Sequence, residues 1–159
     1  EFLREPEKEK VLRYWDLLGK YQSDVPSPEI ELILSLYRRI SEYMYMPVIS
    51  RASLSFILLE KLLGPFRSGN EPVQLEDLIV EAIGENEITM QFHEKGRETR
   101  NSIAHGYWDP GKGMADFLNL VQVLDNLLPL FLDTWIKKPD NTILKPRDVF
   151  IKRILSLKV

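Results

Sequence analysis

Glu87-Ile88-Thr89-Met90-Gln91-Phe92-His93-Glu94-Lys95-Gly96-Arg97-Glu98-Thr99-Arg100-Asn101-Ser102-Ile103-Ala104-His105-Gly106 keeps a helical period from end to end. At about 100° per residue, Ile88, Phe92, Gly96, Thr99 and Ile103 fall on one face, the side expected to pack. The opposite arc carries His93, Arg97, Arg100, Asn101, Ala104 and, at its edge, His105. Core packing does not require two arginines, an amide and two imidazoles on one face. Gly106 is expected to end the helix, because glycine reaches the left-handed backbone at low cost.

The same period extends outward in both directions. Val11, Leu12, Trp15 and Leu18 predict a first amphipathic helix ending near Gly19. Ser27-Pro28-Glu29 is a helix start, and Ile30, Ile33, Leu34, Tyr37, Ile40 and Met44 line the helix it opens. Pro47 is expected to kink or break that helix. Leu54, Ile57, Leu58 and Leu62 mark another helix, stopping at Gly64-Pro65. Arg67 to Pro72 reads as a loop, Leu75 to Ile83 as a short helix, and Asp109-Pro110-Gly111 as a turn, with Gly111-Lys112-Gly113 also in a turn. Met114, Phe117, Leu118, Val121, Leu124, Leu127, Leu128 and Phe131 predict a long helix, bent at Pro129. After Pro139 the pattern weakens, and Val149 to Leu157 is open between a strand and a final helix. The expected fold class is all-α, an up-and-down helical bundle over about residues 10–137 with a short basic C-terminal extension, 138–159, in one domain.

Composition bounds the chemistry. The 159 residues, 44% hydrophobic, are enough for one core. There is no cysteine, which excludes disulfides and thiol catalysis and fits a reducing, cytoplasmic setting. His93 and His105 are the only histidines, too few for a His-based zinc site, and no magnesium-type acidic motif or P-loop occurs. No metal and no cofactor is therefore expected. No apolar run reaches the roughly 20 residues that a membrane span needs, so no membrane partner is expected. The chain opens without Met or a signal-peptide pattern and reads as a trimmed fragment. The net charge is −3, yet Lys137, Lys138, Lys145, Arg147, Lys152, Arg153 and Lys158 gather near the C-terminus, as a phosphate-approaching surface or as a solvated face.

Arg100, Asn101 and His105 together suit phosphodiester cleavage without a metal: a forked cation for phosphate, an amide, and a side chain that exchanges protons near neutral pH. Five helical steps, however, set Arg100 and His105 about 140° apart. Three arrangements would bring them together: a long reach by Arg100, a helix loosened near Gly106, or a site assembled from two chains. The last is favoured, with a twofold axis near Ala104, where a small residue lets a second chain come close. Each residue also has a plain role. His105 would cap a helix end, Arg100 would pair with Glu94 or Glu98, and Trp108 would pack over the bundle end.

Arg100-Asn101-Ser102-Ile103-Ala104-His105-Gly106-Tyr107 resembles the HEPN superfamily (higher eukaryotes and prokaryotes nucleotide-binding domain), whose mark is Arg, a polar residue, a short spacer and His. The extension to Tyr107 is similar to HEPN toxins paired with a minimal nucleotidyltransferase antitoxin. The resemblance implies a metal-independent endoribonuclease that works as a homodimer, a toxin or an antiviral or stress-defence effector. In it His105 is general base or acid, Arg100 holds the phosphate, and Asn101 orients one or the other, leaving a 2′,3′-cyclic phosphate and a 5′-hydroxyl. Arg97 and His93 would add RNA contacts, and Tyr107 becomes a candidate for modification with AMP by a partner. Two other readings stand beside it: a non-catalytic HEPN-like RNA- or nucleotide-binding module, and a helical protein-interaction domain. Binding without product would mark the first, and indifference to changes at Arg100 and His105 the second.

Overall fold

A computed structural model describes residues 12, 15–16, 18–19, 27–41, 46–68 and 70–156. The expectations placed on Val11, Met44, Leu157 and Lys158 lie outside the described residues. Among those described, the chain is mostly helical. It forms α1 (Pro28–Ser41), α2 (Val48–Leu63), α3 (Leu75–Ile83), α4 (Glu87–Ala104), α5 (Pro110–Ile136) and α6 (Pro146–Ser156). Helical backbone is also present at Leu12, Trp15, Asp16, Leu18 and Gly19.

Local chemistry explains most boundaries. Pro28 is the first residue of α1, and the Ser27 carbonyl accepts the Glu31 N–H at 3.0 Å. Pro47, in an extended backbone, stands just before α2, so of the kink or break expected there the structure has the break. The buried Arg51 ties that break together, its Nε donating to the Ile40 carbonyl at 2.8 Å. α4 opens with a reciprocal cap. Asn86 Oδ1 accepts the Thr89 N–H at 3.1 Å, and Thr89 Oγ1 accepts the Asn86 N–H at 3.0 Å.

Four expectations need correction or completion. The loop expected at Arg67 to Pro72 is a small antiparallel hairpin, β1 (Phe66–Ser68) with β2 (Glu71–Val73), pairing Phe66 with Val73 and Ser68 with Glu71. Strands of three residues are too short to display a period of two, and the Gly69-Asn70 signal for a tight hairpin was the cue. Asp109-Pro110-Gly111 and Gly111-Lys112-Gly113 are not turns but the start of α5. Asp109 is its cap, accepting the Gly111 N–H at 2.9 Å, and Pro110 is its first residue. α5 runs unbroken through Pro129, the position where a bend is expected, as one helix of 27 residues. The segment left open after Pro139 resolves as helix α6, opened by Pro146 with Asp148 in its first turn.

Every helix contributes to one apolar core, including Ile30 and Ile33 from α1, Leu58, Leu59 and Leu62 from α2, and Leu78 and Ile79 from α3. Phe92 enters from α4, Leu124 and Phe131 from α5, and Phe150 and Ile154 from α6. Burying each such side chain contributes about 1.5–3 kcal/mol. α5 is long and apolar enough to cross a membrane by length and composition, contrary to the expectation that no run would be. Half of that stretch is buried inside this protein, and Asn119 and Thr134 are among its buried residues, as in the central helix of a core.

The basic C-terminal segment rides on this core through Phe150, Ile151 and Ile154. Several of its charges are already answered. Lys137 and Arg153 share Asp133 at 3.0 and 3.8 Å, Arg147 lies 3.8 Å from Asp148, and Lys138 sits over the Trp135 ring. At 1.5 Å per residue, the length of α5 sets the Lys137, Asp133 and Arg153 cluster about 35–40 Å along that helix from its Pro110 end.

Candidate functional site

α4 packs against α3 and α5, and the faces divide as its sequence predicts. Thr89, Phe92, Gly96 and Thr99 are buried, with Ile88 and Ile103 half-buried. His93, Arg97, Asn101, Ala104 and His105 are exposed, and Arg100 is half-buried. α4 runs antiparallel to α5, since Asn119 on α5 donates to the Ile88 carbonyl at 2.9 Å while Trp108 packs near the other end of the pair.

The end of α4 is held tightly. The His105 N–H donates to Asn101 O at 3.0 Å and the Gly106 N–H to Ile103 O at 3.1 Å. The Tyr107 and Trp108 N–H groups both donate to Ser102 O, at 3.0 and 3.1 Å. Gly106 makes this reversal at φ 75°, a conformation that a residue with a Cβ rarely adopts. Trp108 then turns inward and is buried against Ala52 and Phe117 in a small second core, where its ring meets Phe117 edge-on. Its indole lies on Gly113, where an added Cβ would collide with it. The prediction that Trp108 packs over the bundle end agrees with this; the roles of Ser102 O, Ala52 and Gly113 were not read from the sequence. A glycine four residues past a capped helix start was the available signal for the last.

The chemistry-bearing side chains are uncommitted. Among the described residues, Arg97, Arg100, Asn101 and His105 make no side-chain hydrogen bond or ion pair. Glu98 lies 4.0 Å from Lys95 rather than pairing with Arg100. His105 caps α4 through its backbone only, and its ring lies parallel to Tyr107 with centroids 6.1 Å apart. His93 is different: its Nε2 lies 3.1 Å from Asp77 Oδ1 on α3, a contact that orients the imidazole. Among the described residues no group of three His, Asp or Glu side chains gathers as a metal site.

α4 is regular to Ala104, so within one chain Arg100 and His105 leave the helix about 140° apart. The helix does not loosen before His105 to bring them together. Comparison with protein-family models, with curated proteins and with solved structures returns no match.

Proposed function

We propose that this chain is a metal-independent endoribonuclease of the HEPN type, acting as a homodimer whose two α4 helices meet near Ala104. The supporting observation is the set of uncommitted groups at the end of a rigid helix. Arg97, Asn101 and His105 are exposed and Arg100 is half-buried, and none of the four makes a side-chain hydrogen bond or ion pair among the described residues, although the backbone beneath them is capped. Arg97 and Arg100 are three residues apart on this helix, and an anion between two like charges so placed would be favoured. Ala104 is exposed, and Met90 on α4 with Met114 and Leu118 on α5 leaves apolar surface for a second copy.

In the proposed reaction the RNA 2′-hydroxyl attacks the adjacent phosphorus while a histidine takes its proton. The bond from phosphorus to the 5′-oxygen breaks, and that oxygen leaves with a proton returned from the site. The products are a 2′,3′-cyclic phosphate and a 5′-hydroxyl. His105 moves the proton, Arg100 stabilises charge growing on the phosphoryl oxygens, and Asn101 orients the histidine or phosphate by hydrogen bonding. Arg97 and His93 continue the same face as contacts for neighbouring phosphates. The biological setting we propose is a toxin or defence effector held in check by a nucleotidyltransferase-type partner, to which the exposed Tyr107 hydroxyl is open.

The test is cleavage of a mixed cellular RNA pool in EDTA, wild type beside His105→Ala. Proton transfer supplies about 10²–10⁴-fold in rate, so the variant should lose nearly all cutting. A variant within a few-fold of wild type would remove His105 as the catalyst. One observation favours a second reading, a non-catalytic RNA-binding module: in a lone chain Arg100 and His105 point apart. A monomer in sedimentation that binds RNA without producing new ends would select it.

A further inference from the structure

We propose that Tyr107 is a stacking platform for one RNA base beside the cleaved linkage, which makes the substrate a single strand with that base turned out. This inference rests on the reading of the α4 end as an RNA site. Tyr107 is 67% exposed, and its ring and hydroxyl have no partner among the described residues except the parallel His105 ring. An exposed aromatic ring is ordinary on a loose loop, but this one is not loose. Its own N–H and that of Trp108 are both bonded to Ser102 O, Gly106 sets the reversal before it, and buried Trp108 anchors the residue after it. The ring is thus held in water on a fixed backbone, so little conformational entropy is lost when something covers it.

The ring planes of His105 and Tyr107 differ by 3°, with centroids 6.1 Å apart, an offset-parallel pair. The two parallel rings together make an aromatic surface, and the proton-transfer residue is part of it. The uncommitted amide of Asn101, four residues before His105 and on its side of the helix, lies on the last turn that leads into this surface, and the proposed dimer brings a guanidinium of Arg100 to it from the second copy. A nucleotide whose phosphate is held by that turn carries its base to the aromatic surface, because phosphate and base are joined through one sugar. Stacking on an aromatic side chain beside cationic groups is how unpaired bases are held with little sequence preference. In a duplex the faces of a base are already stacked on its neighbours, so the platform selects unpaired RNA.

The test separates this inference from cleavage itself. Uncleavable 2′-O-methyl oligouridylate hexamers, each carrying one 2-aminopurine, are titrated with wild type, Tyr107→Phe and Tyr107→Leu. Binding is read by anisotropy and stacking by loss of 2-aminopurine emission. Wild type and Tyr107→Phe should quench one position of the series, while Tyr107→Leu should restore its emission and bind about 5- to 100-fold more weakly. Binding without quenching at any position, or Tyr107→Leu equal to wild type, overturns the platform and leaves the ribonuclease proposal standing. No binding by the wild type overturns both. Tyr107 supports no core, so circular dichroism of the Leu variant should match wild type.

Discussion

Replacing Gly113 by Ala should weaken this protein, although alanine is the better helix former. The Cβ of an alanine there would lie 2.8 Å from Trp108 Cε2 and closer still to Nε1. Carbon atoms in contact prefer about 3.5–4.0 Å, so the indole must retreat by roughly 1 Å. It has little room, being 7% exposed and enclosed by Ala52 and Phe117. Overpacking of this kind costs about 1–3 kcal/mol. The gain in helix propensity offsets at most about 1 kcal/mol of it. The expected result is a net loss of about 1 kcal/mol. Gly111→Ala is the control, because its added Cβ meets only the Asp109 carboxylate, at 3.3 Å, and should leave stability nearly unchanged. Trp108→Phe, which also removes a buried indole N–H without a partner among the described residues, should make Gly113→Ala harmless in the double variant. Urea unfolding followed by far-UV circular dichroism gives each midpoint and slope. A Gly113→Ala midpoint at or above that of Gly111→Ala would refute the packing argument.

Two further outcomes follow from the same geometry. Asn86→Ala removes one half of the cap on α4 and should cost about 0.5–2 kcal/mol in urea unfolding, with the slope unchanged. Ala104→Arg places a long cation at the proposed twofold contact. It should shift sedimentation from dimer to monomer without altering the monomer's helix content, and a dimer of undiminished affinity would move the contact elsewhere.

The helices were legible because their signals are local. Apolar spacing in Ile88, Phe92 and Ile103, proline at the first position of α1, and Gly84 and Gly106 just beyond α3 and α4 act within one or two turns of chain, and the structure follows them. The same logic, applied once more, would have found Asp109-Pro110 as a helix start; it repeats the pattern of Ser27-Pro28, but the following glycine argued for a turn. The hairpin was hidden because three-residue strands are made by pairing across a turn, a relation between segments that no periodicity records.

The arc of Arg97, Arg100, Asn101 and His105 was also a sequence property, since helix geometry alone assigns residues to faces. Whether those side chains were spent on neighbours was not. His93 met Asp77 because α3 lies beside α4, across 16 positions of chain that spacing cannot bridge. Trp108 turned inward and Tyr107 outward because Ala52, Phe117 and Gly113, drawn from two other helices, offer a seat for one ring and not the other. Sequence alone determined which residues share a helix face, because that depends on backbone geometry; tertiary structure decided which remain available for chemistry, because that depends on what the other helices bring beside them.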